Sequence, residues 1–306
     1  MKRFTFLIAL VILSIIPAMA QQDAQYTQYL FNGLVINPAY AGTRETLSAL
    51  AIYRYQWVNL DGAPRTLGAS VHSPLGDTNN ALGLTLENDV IGVHNRFSAY
   101  ATYAYHVPVS NKAKLSLGLS AGVLSYRSDW TQLESVQDLT DPNFTNQIDN
   151  KLLPNFGLGA YFYSDRYYIG LSAPHLLNSK LNDISQLSKY KRHYFLSGGY
   201  VFDLSPSLRL KPSFLLKSIP AEAPFNADLN LNLLIKDMVW VGFGYRTGDA
   251  VLFTASYQTD FGLRIGYAYD FNVSKLNPYN SGSHEVMVGW DLVRGKPEKV
   301  LSPRFF

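Results

Sequence analysis

The sequence predicts an all-β transmembrane barrel of about fourteen antiparallel strands, and three observations carry that prediction. Hydrophobic residues recur at period two along most of the chain. Tyr (21) and Phe (17) are abundant while only 16% of residues are charged. Short connections also alternate with longer ones. A barrel strand in a bilayer must turn apolar groups to lipid and small or polar groups to the lumen, and period two encodes that requirement. No comparably long stretch carries a helical period, and past residue 20 no run of ~18 apolar residues offers a membrane helix.

The chain opens MKRFTFLIALVILSIIPAMA. Lys2 and Arg3 precede an apolar stretch that ends at Pro17 and an Ala18-Met19-Ala20 site, the pattern of a cleaved Sec leader. Residues 1–20 are therefore expected to be a signal peptide and Gln21 the mature start. With no Cys in the sequence, a lipid anchor at the leader, a disulfide framework and a thiolate metal site are excluded. Removing the leader takes two of the 26 basic residues and no acid, leaving 24 against 23. That balance offers no electrostatic basis for binding nucleic acid.

The clearest ladder places Leu263, Ile265, Tyr267, Tyr269, Phe271 and Val273 on one face and Arg264, Gly266, Ala268, Asp270 and Asn272 on the other. Similar ladders predict strands at 46–56, 64–73, 81–89, 96–108, 114–127, 152–164, 167–174, 191–203, 207–217, 225–235, 238–246, 250–258, 261–273 and 284–293. The barrel thus spans 46–293, after an N-terminal segment at 21–45 that starts in the periplasm and before a periplasmic tail at 294–306. On that footing the links 74–80, 109–113, 165–166, 204–206, 236–237 and 259–260 all fall on the periplasmic side, and all are short. The alternate set includes the two longest links, 128–151 and 175–190. A soluble exported β-sandwich or propeller also alternates, but it carries more charge on its outward faces.

QYTQYLFNGLVINPAYAG, residues 25–42, is too aromatic and apolar for a disordered tail. Two readings stand open. As a lumen plug, Tyr26, Tyr29 and Phe31 fill space while Gln25, Gln28 and Asn32 meet polar wall groups. Asn37-Pro38 then makes the turn, Tyr40 follows, and Gly42 releases the chain into the first strand. As a docking element, the same residues contact a partner protein.

These residues also carry a family resemblance. Gln22-Asp-Ala-Gln-Tyr-Thr-Gln-Tyr-Leu-Phe-Asn, followed by Asn37-Pro-Ala-Tyr-Ala-Gly42, resembles the opening signature of the PorP/SprF family, outer-membrane proteins of type IX secretion and gliding machinery in Bacteroidota. Arg54-Tyr-Gln56-Trp57 with Gly62-Ala-Pro64, Tyr168-Ile-Gly-Leu-Ser-Ala-Pro-His175 and Ser283-His-Glu285 are similar to later family elements. The resemblance implies a barrel without enzymatic chemistry or cofactor, set in outer-membrane lipid. It further implies support for the secretion or surface attachment of cargo, through a C-terminal signal domain or as a large adhesin, and a link to periplasmic lipoprotein components. The alternative is an outer-membrane channel or transporter for small or hydrophobic solutes.

Other constellations are weighed on the residues alone. His72 and His106, with Ser70 and Ser98, invite comparison with a barrel lipase, but they lie on polar faces that turn away from lipid, so no catalytic site is expected. Asp129, Glu134, Asp138, Asp141 and Asp149 offer hard oxygen ligands without a calcium-loop spacing, so no metal site is expected. Arg54, Arg209, Lys211, Arg246 and Arg264 alternate inward with Glu87, Asp89, Asp228, Asp270, Glu285 and Asp291. This set reads either as an internal salt-bridge network or as the lining of an open pore. Tyr53, Tyr55 and Trp57 read as interfacial girdle or as a partner anchor, and the tail RGKPEKVLSPRFF as an assembly signal or a periplasmic dock.

Overall fold

In the computed structural model, the alternation seen in the sequence becomes a closed antiparallel barrel of fourteen strands. Residues 25–132, 148–180, 189–219 and 225–292 are described. The leader, Glu134, Asp138, Asp141, the side chain of Asp149 and the tail at 294–306 lie outside them.

The strands are β1 (Ser48–Tyr55), β2 (Arg65–Pro74), β3 (Asn80–Ile91), β4 (His94–Pro108), β5 (Ala113–Asp129), β6 (Ile148–Ser164) and β7 (Tyr167–Ala173). The ring continues with β8 (Tyr194–Tyr200), β9 (Leu208–Ser218), β10 (Asn226–Ile235), β11 (Val239–Arg246), β12 (Ala250–Gln258), β13 (Leu263–Asn272) and β14 (Ser283–Asp291). Each pairs with its neighbours, and β1 closes on β14 from Ser48↔Asp291 to Tyr55↔His284. The β8–β9 ladder runs to Gly199↔Ser213, lapses, and resumes at Phe202↔Leu210 in the short extension Phe202–Ser205. Pro212 stands in that lapse, as suits a residue without a backbone donor. Among the described residues no helix is long and apolar enough to cross a membrane.

Period two sorts the side chains as expected. On β13, Ile265, Tyr267 and Phe271 are exposed, while Arg264, Ala268, Asp270 and Asn272 are buried. Across the wall the exposed large hydrophobics form an outward band that a bilayer covers. The inward face departs from the polar rule in places, because Leu50, Ile52 and Met287 point inward and join a buried cluster with Tyr26, Tyr29 and Leu30.

One end of the barrel carries the tight links 75–79, 109–112, 165–166, 206–207, 236–238 and 259–262. At 236–238, Lys236 and Asp237 both take positive φ, 52° and 59°, as a primed hairpin turn requires. The opposite end carries the long loops. There β4 (15 residues), β5 (17) and β6 (17) outrun the ~9–11 residues that a bilayer needs, so this side of the wall stands taller.

Candidate functional site

The N-terminal segment lies inside the ring of strands. Gly33 and Pro38 divide it into three single turns: Tyr29–Phe31 and Pro38–Tyr40 in 3-10 form, and Gly33–Ile36 as one α turn. Its contacts reach the wall on every side, from Gly68 on β2 through Ala160 on β6 and Asn230 on β10 to Glu285 on β14. The segment also has a direction. Tyr26 to Gln28 meet strand positions near the long-loop end, and Ala41 and Gly42 meet His106 and His72 near the turn end. Tyr26 thus lies toward the long-loop end, and the chain descends the lumen to Gly42 before β1 climbs again; the expected periplasmic start at residues 21–24 lies outside the described residues. Proximity of residues 21–45 to β1 in sequence does not fix which end of the lumen they enter.

At the turn end, NPAYAG packs against a wall cut to receive it. Asn37 Oδ1 caps the Ala39 amide at 2.9 Å, and its Nδ2 donates to the Ala160 carbonyl at 3.0 Å. Pro38 and Ala39 lie so close to β5 and β6 that a Cβ at Gly118 or Gly159 would fall well under 3.0 Å from them or from Asn37. Tyr40 meets His72 and Tyr161 edge-on, with ring centroids 5.4 Å and 5.8 Å away. His106 donates from Nε2 to the Ala41 carbonyl at 2.9 Å, which leaves Nδ1 to accept from Tyr163 Oη at 2.9 Å. The Gly42 amide donates to His72 Nδ1 at 3.1 Å, with φ at 77° as glycine permits. Just beyond, Arg44 and Arg264 share Asp291, at 2.8 Å and 2.7 Å. Burial works against the Arg44 charge, but Asp291 outweighs it, and the guanidinium holds its proton more firmly than usual.

Near the long-loop end the segment enters a buried charge cluster. Arg246 forks onto Asp228, with Nε and Nη2 each 3.0 Å from a carboxylate oxygen, and reaches Asp270 at 3.1 Å. Arg54 bridges Asp270 at 2.7 Å and Glu285 at 3.1 Å. Three carboxylates here face two guanidiniums, and the segment supplies the missing donors. The Thr27 and Gln28 amides both donate to Glu285, at 2.9 Å and 2.7 Å, and Thr27 Oγ1 donates to Asp270 at 2.7 Å. Backbone N–H groups on a carboxylate are charge-assisted bonds, and they satisfy an acid that is 0% exposed. Tyr26 Oη donates to Glu87 at 2.7 Å, and Asn230 donates to Tyr29 Oη at 2.8 Å.

The predicted residues therefore fall into separate places. Tyr26, Tyr29, Asn37, Pro38, Tyr40 and Gly42 are buried in the lumen, and Phe31 packs edge-on to Trp240 at 6.1 Å. Arg54, Asp228, Arg246, Asp270 and Glu285 form the cluster, while Glu87 joins Tyr26 and Arg96. Arg264 belongs to the second cluster with Asp291 and Arg44, below a cation–π contact with Phe31 at 5.6 Å. Arg209 stands at the turn-end rim, paired with Asp203 and Asp237. Gln56 and Trp57 are half-buried and Pro64 is buried, in a loop pinned across the β1–β14 seam by Val58 and Ser281. His72 and His106 bond the segment, and Ser70 Oγ donates to Asn32 at 2.8 Å. No group of acids and histidines able to hold a metal occurs among the described residues. Gln28 meets the wall as its amide suggested, whereas Thr27 and Arg44 were not singled out in the sequence.

A family model described as type IX secretion system membrane protein PorP/SprF matches residues 18–290. No curated protein matches the sequence. Among solved structures, the CymD monoaromatic hydrocarbon channel is 11% identical, with a TM-score of 0.50 over 85% of this chain and 91% of its own. A Pseudomonas aeruginosa FadL homologue is 11% identical, at 0.48 over 90% and 96%. The KdgM porin is 10% identical, at 0.40 over 80% and 99%. At these identities the likeness bears on the barrel fold alone.

Proposed function

The chain belongs to the PorP/SprF family of type IX secretion system membrane proteins, and we propose that it is a non-enzymatic accessory barrel that supports the secretion or surface attachment of cargo by docking rather than by conduction. One observation supports this reading most directly: the chain's own segment fills the lumen. The cavity beside Tyr29, Tyr40 and Lys211 holds about 20 Å³, and the one beside Gln25, His175 and Lys217 about 50 Å³. A single water needs roughly 10–15 Å³ by the same measure, so these gaps suit waters rather than solutes. The barrel then serves as a rigid mount for its two ends: the pinned Trp57 loop and long loops on one, the tight turns on the other. A secreted protein or a further translocon component, including a periplasmic lipoprotein, docks there.

The test is surface display of type IX cargo in a strain lacking the gene, complemented by full-length chain or by a chain without Gln22–Phe31. Unchanged display of every cargo in the null strain overturns the docking reading. In planar bilayers the full-length protein should show no large stable conductance, and one that did would favour the channel.

A further inference from the structure

We propose that the long-loop half of the lumen is a peptide-recognition site, filled in cis by Tyr26 to Tyr29 and able to take a short peptide of the same chemistry and bent shape in trans. The inference rests on the segment's place in the lumen and not on the secretion role, so each can fail without the other.

The contacts are those by which a receptor holds a short bent peptide, with successive amides turned onto one carboxylate. Main-chain amides supply binding, since Thr27 and Gln28 both donate to Glu285. Side chains supply selection. Tyr26 passes over Gly68, where a Cβ would stand 2.7 Å from its hydroxyl, to reach Glu87. Gln28 fills the space left at Gly266, and Tyr29 meets Asn230. Thr27 bends the chain, Gln28 lies at φ −90° and ψ 26°, and Tyr29 opens a 3-10 turn, so the matching ligand is a bent stretch reading aromatic, Thr, Gln, aromatic.

Electrostatics explains why the site demands an occupant. Asp228, Asp270 and Glu285 share Arg54 and Arg246, and a buried carboxylate is strongly disfavoured unless donors satisfy it. The segment brings no charge of its own here. It brings N–H and O–H donors, which any peptide backbone with a hydroxyl side chain in the right place also brings. Tyr26 sits toward the long-loop end, so a chain that enters from that end need not cross the turn end. The covalent tether raises the local concentration of the cis ligand, which keeps the site closed to weak competitors.

The experiment uses a fluorescent peptide, QDAQYTQYLF (residues 22–31), and purified barrel that lacks those residues but keeps Leu34–Gly42. We expect saturable binding to that barrel, at least tenfold weaker binding to its Glu285→Gln form, and at least tenfold weaker binding to the full-length chain, whose site is occupied. A folded deletion barrel that binds no peptide, or binds it equally with Gln at 285, overturns the proposal. Should the deletion barrel fail to fold, hydrogen exchange in the full-length Glu285→Gln chain decides. The Thr27 and Gln28 amides should then exchange at least tenfold faster than in the parent while the Ala39 amide is unchanged, and equal protection overturns the proposal.

Discussion

Replacing Gly118 by Ala adds one methyl group to a wall of 150 strand residues, yet it should be among the most damaging small changes available. The new Cβ would lie well under 3.0 Å from the backbone of Pro38 and Ala39. Backbone cannot swing aside as a flexible side chain does, so the NPAY turn has to lift off β5. Overpacking a filled core costs about 1–3 kcal/mol. Lifting the turn also withdraws the Asn37 bonds to the Ala39 amide and the Ala160 carbonyl, each worth about 0.5–1.5 kcal/mol net. The total is about 2–6 kcal/mol.

The control is Gly289→Ala on β14. This glycine also faces inward, but the nearest atom to its added Cβ is 3.5 Å away and its φ is ordinary. That change should stay within about 1 kcal/mol, since a tolerated Gly→Ala replacement mainly restricts the unfolded chain. Urea unfolding of both variants in detergent micelles, followed by Trp fluorescence and by gel mobility of the unheated barrel, gives the difference. Limited proteolysis shows whether the wall weakens or the segment is expelled from an intact wall. If Gly118→Ala matches the parent in both unfolding midpoint and segment protection, the claim that backbone fills this part of the lumen is wrong.

Three further changes test the rest of the architecture. Arg54→Leu strands Asp270 and Glu285 and should cost about 3–5 kcal/mol by urea unfolding. Arg54→Lys should recover less than half of that, because one ammonium cannot fork between two carboxylates. Gly42→Ala forces a left-handed residue and presses on Ala81, and adding Ala81→Gly should remove the clash but leave about 1–2 kcal/mol of backbone strain in the double variant. Ile265→Arg places a charge in the outward band and should lower stability in lipid vesicles by about 2–4 kcal/mol, the cost near the bilayer midplane. A negligible effect there would mean that this face is not in lipid.

The wall was legible because period two survives any arrangement of neighbours. Every predicted strand has its counterpart, with ends displaced by a few residues; the largest single displacement is at β6, which starts at Ile148 rather than 152, and β8 loses three residues at each end, 191–203 becoming Tyr194–Tyr200 with a short extension past Val201. Alternation assigns a face but not a height. That is why Arg209, on the inward face, belongs to the rim, and why Arg264 joins Asp291 rather than the Arg54 cluster. The assumption of a polar lumen also fails at Leu50 and Ile52, whose inward partners are aromatic residues of the segment. What sequence alone hid was the pairing of Thr27 with Asp270 and Glu285, since bonds across 243 and 258 positions leave no local pattern.

The segment that most resembles the family is thus also the part most fully consumed by internal contacts. Asn37 uses both ends of its amide, Ala39 lies against two strands, Ala41 and Gly42 give their backbone groups to histidines, and Tyr40 meets rings on β2 and β6. A substitution anywhere in NPAYAG has to be answered by wall positions drawn from distant parts of the chain. Packing against the wall is therefore reason enough for each of these residue types. The same reasoning moves the search for a partner elsewhere. Trp57 takes a φ of 51°, is only half-buried, and stands in a loop whose backbone is bonded to Ser283 and across to residues 281 and 282. Such a loop holds an aromatic group still while leaving it reachable. Trp57→Ala should accordingly reduce cargo display while leaving the unfolding midpoint within about 1 kcal/mol of the parent, as for surface changes away from buried features. Asn37→Ala should do the reverse, lowering the midpoint by about 1–3 kcal/mol through two lost bonds and sparing display in whatever fraction remains folded. Were the two phenotypes exchanged, NPAYAG would be the docking surface and its burial in the lumen a resting state.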